Sequence, residues 1–310
     1  MPRTYGVIII GGSHAGISAA LTLYRAFHTC LIIDSGKPRD AASDEIRLTN
    51  GWEGQDPQAF KATSVADLER SGLVDFVSHK AMTISKNSDG YFEVVDVAES
   101  KWTGRRVLLA TGVEEKYPDI DGYAENYGSL IYHCMFCFGN DNKASSVAGL
   151  LAMGILAHPQ HAIINARDAL KFVDSVTLYT NGDSQVEKAL SGVIEDRLSI
   201  DSRRIKSLAK PYNGTGILIE FNTGDKQSLA FLVHKPDIEV SGAIPEQLGC
   251  EMIPEIGIKV TPPFNSTSVE GVFAAGDCCS PLRNIPSAMS MGSFAGCGIA
   301  RSLPPGPLKK

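Results

Sequence analysis

Cys134 and Cys137, three positions apart, are the residues in this chain best suited to redox chemistry. At the N-terminal end of a helix, such a pair can close a small disulfide, and the helix end lowers a thiol pKa. His133 lies immediately before the pair, where an imidazole titrating near neutrality can serve as a thiol's base. The plainer readings are two buried core cysteines and a packing histidine. A zinc site would need a second ligand pair at matching spacing. The other close pair, Cys278 and Cys279, is adjacent in sequence, so no metal is expected there. Those two, with Cys30, Cys250 and Cys297, read as small core fillers.

A second constellation is the glycine turn Gly11-Gly12-Ser13-His14-Ala15-Gly16. A dinucleotide-binding turn needs a tight bend, close backbone approach to the pyrophosphate and a helix N-terminus aimed at the anion. Gly11 and Gly16 take the outer glycine positions of G-x-G-x-x-G, and Ser13 the middle one. Ser is small and caps helices well, so the departure is mild. Asp34, followed by Ser35, closes the next apolar run at the distance where a carboxylate takes adenosine ribose hydroxyls. The bland alternative is a strand–helix turn with no nucleotide.

The elements that must position these residues follow from the apolar pattern. Val7 to Ile10 reads as a strand, Ile17 to Ala26 as a helix and Leu31 to Ile33 as a second strand. This βαβ order implies a parallel, doubly wound sheet. Phe60 to Ser71 reads as a helix, and Phe92 to Val95 and Val107 to Ala110 as strands. Val113 to Gly128 has the polar and Pro/Gly content of a connection between domains. Beyond it, the spacing predicts helices over Ser145–Leu156 and Ala166–Val173 and strands over Val176–Tyr179 and Gly216–Phe221. A final strand, Gly271 to Ala275, leads into a small-residue helix from Pro286 to Arg301.

Length and charge bound the rest. A chain of 310 residues suits about two domains, and its formal charge of −6 offers no basic excess for nucleic acid. The longest nearly apolar run, Val147 to Ala157, is too short to span a bilayer. The cytosol is the expected compartment, with no membrane partner.

The block Val272-Phe273-Ala274-Ala275-Gly276-Asp277 resembles the two-dinucleotide-domain flavoprotein disulfide reductases, with thioredoxin reductases the nearest widely known branch. The resemblance implies FAD. Asp277 would hold the ribityl chain next to Gly276. Ala110, Thr111 and Gly112 would lie beside the cofactor. Asn50, Asn284 and Ile285 fall where the family contacts the flavin. It also implies an α/β fold of two Rossmann-like domains. An FAD-binding domain would span 1–113 and 237–310. A second, NADPH-domain-like domain over 114–236 would carry Cys134 and Cys137 as the redox disulfide.

Two departures narrow the resemblance. The stretch Ala144 to Ala152, read as the place of the second nucleotide turn, has one glycine and no G-x-G-x-x-G. Val176 to Asp183 has no arginine cluster for a 2′-phosphate. NADPH binding is therefore expected to be lost, leaving a degenerate second site. Phe138 stands where thioredoxin reductases have an acid, and His133 precedes Cys134. This set is similar to the fungal FAD-dependent dithiol oxidases of epidithiodiketopiperazine biosynthesis, the gliotoxin sulfhydryl oxidase type. That likeness implies a small-molecule dithiol substrate, dioxygen as acceptor, hydrogen peroxide as product and a homodimer. Cys134 would be the outer cysteine that takes the substrate thiolate, and Cys137 the inner one. A thioredoxin-reductase-like enzyme running on a protein partner, thioredoxin or ferredoxin, without NADPH is the other reading.

Overall fold

A computed structural model describes residues 3–41, 43–142, 145–212 and 214–305. The chain divides into two compact units, Met1–Glu114 with Glu239–Lys310, and Glu115–Ile238. The first unit opens with β1 (Thr4–Ile10), α1 (His14–Arg25) and β2 (Cys30–Ile33). A long loop leads to α2 (Pro57–Glu69), β3 (Val74–Val77), β4 (Ala81–Lys86), β5 (Phe92–Asp96) and β6 (Lys101–Leu109). The sheet order is β3-β2-β1-β6-β5-β4, parallel through β6 and antiparallel beyond it. β2 is buried along its whole length, as parallel strands covered on both faces are.

The second unit is entered through β7 (Val113–Lys116). Then come α3 (Tyr123–Asn126), β8 (Ile131–Tyr132), α4 (Met135–Phe138), β9 (Ser145–Leu151), α5 (Pro159–Ala169), β10 (Val173–Tyr179), α6 (Ser184–Ser191) and β11 (Leu198–Asp201). An antiparallel sheet of β12 (Ile205–Ala209), β13 (Ile217–Phe221) and β14 (Lys226–Leu229) precedes β15 (Leu232–Val233). The central sheet of this unit is parallel, in the order β11-β10-β9-β15-β8. After β16 (Asp237–Val240) come α7 (Ile244–Gln247), β17 (Met252–Ile253), β18 (Gly257–Ile258), β19 (Val272–Ala274) and α8 (Ile285–Ser302). β19 joins the first unit's sheet beside β6, in parallel. Among the described residues, no helix is long and apolar enough to cross a membrane.

In the first unit, α1 and α8 cover one face of the sheet. Ala19, Leu23, Ala295 and Ile299 pack there on Val7, Ile9 and Ile32. The helices approach so closely that a Cβ at Gly292 would overlap the Ala15 carbonyl oxygen. Ile8, Ile10, Leu31 and Val272 face the other side, with Phe92, Val94 and Ile258.

One expected element is replaced. Ser145–Leu151 is strand β9, not the first part of a helix, and a 3-10 turn, Gly154–Ala157, occupies the end of that stretch. A parallel strand buried on both faces shows a nearly continuous apolar run, which helical spacing also fits. Gly149 is mid-strand, where a Cβ would meet Leu229 Cδ1 at 2.7 Å and Tyr179 Cε2 at 2.8 Å. Its role is packing, so the second unit's strand–helix turn is not Ala144 to Ala152. Ala144 itself lies outside the described residues. The second expected helix likewise ends at Ala169, and Val173 already belongs to β10.

Candidate functional site

In the first unit the carboxyl ends of four parallel strands lie side by side. Ile10 is opposite both Ile33 and Leu109, and Leu109 is opposite Ala274. The segments that follow are Gly11–Gly16, Asp34 and Ser35, Ala110–Gly112, and Gly276 and Asp277. One sheet edge thus gathers four stretches that are far apart in sequence. Backbone bonds fix them: Gly11 donates to Ile33, Ala110 to Ile10 and Ala275 to Leu109, at 2.8–2.9 Å. This edge is where open parallel sheets bind ligands.

The glycines are dictated by close approach. Gly11 has φ +111°, and a Cβ there would overlap the Ala110 carbonyl oxygen. One at Gly16 would overlap the Gly11 carbonyl, and one at Gly12 would meet the Asp34 carboxyl at 2.9 Å. Gly276 has φ +84°, and its Cβ would lie 2.9 Å from the Cβ of Ala15. Ser13 takes the N-cap position of α1, but its hydroxyl makes no capping bond, contrary to expectation. The first N–H groups of α1 thus keep no side-chain acceptor from Ser13, as an anion-binding helix end requires.

Charge is arranged along the same edge. Asp34 Oδ2 accepts from Lys61 Nζ at 2.7 Å and Oδ1 from the Gly36 N–H at 3.2 Å. Burial opposes its ionisation, but Lys61 and the N–H groups of Gly36 and Gly12 outweigh burial and hold it below the usual carboxylate range. Asp277 goes the other way: burial raises its pKa against the pull of Arg39, whose Nη1 lies 3.3 Å from Oδ2. His14 Nε2 pairs with Asp40 Oδ2 at 3.1 Å, and that contact, against burial, keeps Asp40 low. Ala110 is buried and Ser35 exposed, with Thr111 and Gly112 half-buried. Asn50 stands exposed on a turn closed by the bond from the Ile46 N–H to the Gln55 carbonyl, 2.8 Å. Asn284 caps α8, its Oδ1 accepting from the Ser287 N–H at 2.9 Å, and Ile285 begins that helix half-buried. Arg39, Asp40 and Lys61 escape a motif-based reading. The first two form a charged dipeptide in an irregular loop, and Lys61 is one polar residue on α2.

The backbone cradle, the open helix end and the carboxylate of Asp34 fit a dinucleotide. The glycine turn would take the pyrophosphate, Asp34 the ribose and Asp277 the flavin side chain of FAD.

In the second unit, Cys134 and Cys137 are joined as a disulfide with Cα atoms 5.4 Å apart. Cys134 caps the single turn of α4, and the Cys137 N–H donates to its Sγ at 3.2 Å. His133 is half-buried. Its ring is stacked 6.0 Å from Tyr127 and lies edge-on to Phe138 at 5.9 Å. Phe138 in turn stacks on Tyr132 at 4.9 Å, so the position that departs from the reductase pattern is a packing position. Tyr127 donates its hydroxyl to Glu115 Oε1 at 2.7 Å. Phe136, between the cysteines, is 64 % exposed, with Lys171 Nζ 5.3 Å from its ring centre. Tyr127, Glu115 and Lys171 give no sequence signal, because only the fold brings them to His133 and Phe136. In the first unit, the Cys278 and Cys279 thiols are buried and donate to backbone carbonyls, as core residues do.

The second unit's strand–helix turn runs from Ala152 to His158, between β9 and α5. It contains Met153, Ile155 and Leu156 and a single glycine. Gly154 has φ +55°, and a Cβ there would meet Asp237 Oδ1 at 2.8 Å. Leu156 is fully buried in the core of this unit.

The family model described as "Pyridine nucleotide-disulphide oxidoreductase" matches residues 5–143. Among known proteins, thioredoxin reductase sirT of Leptosphaeria maculans is 33 % identical, over 96 % of this chain and 94 % of its own length. Thioredoxin reductase tcpT of Claviceps purpurea is 36 % identical, over 93 % of this chain and 91 % of its own. Among solved structures, HlmI superposes with a TM-score of 0.86 at 25 % identity, covering 97 % of this chain and 93 % of its own. An oxidoreductase from Agrobacterium tumefaciens gives 0.84 at 28 %, covering 97 % and 98 %. The chain belongs to the thioredoxin-reductase-like pyridine nucleotide-disulphide oxidoreductases. It is a two-domain Rossmann-type flavin disulfide oxidoreductase, and its cofactor is FAD.

Proposed function

We propose that the protein is an FAD-dependent dithiol oxidase that closes an intramolecular disulfide in a small-molecule dithiol. The observation that carries this reading is the pairing of an intact Cys134–Cys137 disulfide beside His133 with a second-unit turn that lacks the glycines of a nucleotide cradle. Without backbone access to a pyrophosphate, NADPH is not the reductant, and electrons enter from the thiol substrate. His133 takes the proton of the first substrate thiol. The resulting thiolate attacks Cys134 Sγ and the Cys134–Cys137 bond breaks, leaving Cys137 as thiolate. His133 releases that proton to solvent and takes the proton of the second substrate thiol, which as a thiolate attacks the substrate sulfur of the mixed disulfide. Cys134 then leaves as a thiolate that accepts the Cys137 N–H, and a stabilised leaving thiolate departs faster. The product is a substrate disulfide, with two electrons held on the cysteine pair. FAD, held by the glycine turn, Asp34 and Asp277, would supply the two-electron acceptor for the reduced Cys134/Cys137 pair and the means of passing that pair to dioxygen, with hydrogen peroxide as the product.

On this reading Gly11, Gly12, Ser13, His14, Ala15 and Gly16 hold the pyrophosphate and Asp34 the ribose, with Ser35 beside it. Asn50, Ala110, Thr111, Gly112, Gly276, Asp277, Asn284 and Ile285 line the flavin portion. The protein acts as a cytoplasmic homodimer. The names of sirT and tcpT favour a second reading, a reductase working with a protein partner such as thioredoxin. Incubating purified protein with a panel of small dithiols and recording oxygen uptake separates the two. Uptake with the dithiols alone supports the oxidase, and uptake or turnover only when thioredoxin is added supports the second reading.

A further inference from the structure

We propose that Arg39 and Asp40 form an ion-paired strap that retains the cofactor, pinning the loop after β2 to both sides of the FAD-binding edge. This rests on the assignment of FAD to that edge. Arg39 pairs with Asp277, in the turn between β19 and α8, at 3.3 Å. Its neighbour Asp40 pairs with His14, the first residue of α1, at 3.1 Å. Adjacent residues of opposite sign thus reach two elements far apart in sequence, one expected at the flavin side chain and one at the pyrophosphate. The Arg39 and Asp277 side chains are about four-fifths buried, as is that of His14, so both contacts are partly shielded from solvent.

Among its described residues, the loop has no regular secondary structure from Asp34 to Asp56. A cavity of ≈ 640 Å³ lies against it, lined by Ser13, His14, Asp40, Phe60 and Lys61 among others. Ile46 anchors the far part of the loop in the interior and Trp52 meets Phe60 edge-on at 5.1 Å, while Arg39 and Asp40, nearer β2, are held by their ion pairs. Two details suit a cofactor-facing role. His14 Nδ1 is buried with no hydrogen-bond partner among the described residues, while the ring packs 5.3 Å from Phe60. A guanidinium presents its donors in a fixed planar fork, which a lysine in its place would not reproduce. Release of a bound dinucleotide then requires at least one of the two pairs to open.

The test is the rate of FAD release from the holoprotein, read as returning flavin fluorescence after dilution into a competing flavin binder. Arg39→Gln and Asp40→Asn are each expected to speed release about tenfold, as the loss of one partly shielded ion pair implies. Raising salt from roughly 0.05 to 0.5 M is expected to speed release in the wild type and to have far less effect in the double variant. Arg39→Lys, which keeps the charge and loses the fork, is expected to fall between. Thermal midpoints of the cofactor-free variants are expected to match the wild type. Unaltered release rates overturn the strap. So do cofactor-free midpoints that fall as far as the loaded ones, since the pairs would then hold the fold and not the cofactor. A wild-type chain that takes up no FAD overturns the cofactor assignment beneath the proposal, and shows itself before any substitution is made.

Discussion

The two sulfurs of Cys134 and Cys137 are not equivalent. Cys134 Sγ accepts a backbone N–H from its own helical turn, which suits it to leave as a thiolate, and in the proposed order it is also the atom the substrate attacks. Both Cys134→Ser and Cys137→Ser are expected to abolish dithiol oxidation. They differ in what can be trapped: intact mass spectrometry should find a substrate adduct on Cys134 in the Cys137→Ser variant and none in Cys134→Ser. The reverse pattern inverts the order of the cysteines. His133→Ala is expected to slow anaerobic reduction of the disulfide by a small dithiol by ~10²-fold if the ring is the base. An unimpaired variant returns His133 to a packing role against Tyr127 and Phe138. The cysteine pair was legible because its spacing is itself the chemistry. Tyr127 and Glu115 were not, because their contacts arise only when segments apart in sequence fold together.

At the scale of elements, the β1–α1 turn tolerates almost no added atoms. Gly11→Ala would set a Cβ against the Ala110 carbonyl at φ +111°, so the variant is expected to lose bound FAD absorbance while the second unit's disulfide still forms. Retained flavin absorbance contradicts the cradle. A second prediction concerns the antiparallel end of the same sheet. The buried Asp96 carboxylate accepts from the N–H groups of Ala98 and Ser100, from Trp102 Nε1 and from His79 Nδ1. Burial disfavours the charge, yet these donors outweigh it and hold the pKa at about 2. Because the folded value lies below the unfolded one, the stabilisation is present above about pH 4 and lost as pH falls toward 2. Asp96→Asn is expected to cost on the order of 2 kcal/mol at neutral pH. Denaturant titrations should show that deficit shrinking as pH falls from about 4 toward 2, and a constant deficit contradicts the assignment. Elements were read well where glycine and charge punctuate them, as at β1–α1–β2 and β19–α8. The β9 strand was misread because a doubly covered strand such as Val147-Ala148-Gly149-Leu150-Leu151 lacks the alternation that separates strand from helix.

At the scale of the whole chain, the first unit is assembled from both ends of the sequence, with the disulfide-bearing unit inserted between them. The sequence signal for it was that the glycine turn and the Ala-Gly-Asp segment, at opposite ends of the chain, suit one cofactor; the strands that lead into them, β1 and β19, both flank β6. The register of the second unit was not visible in the sequence. Its strand–helix turn lies at Ala152 to His158, one strand later than the apolar pattern suggested, and only the pairing of β9 with β10 and β15 places it. The lone glycine and the bulky Met153, Ile155 and Leu156 at that turn carry the claim that electrons do not come from a nicotinamide.

The most direct test of that claim follows the purified flavoprotein with a small dithiol under air while oxygen and peroxide are recorded together, with NADPH in a parallel anaerobic cell. The oxidase account predicts one peroxide released per dioxygen consumed and per disulfide formed, with a flavin band that NADPH leaves unchanged. Bleaching of that band by NADPH, with no oxygen uptake on the dithiol, would contradict it.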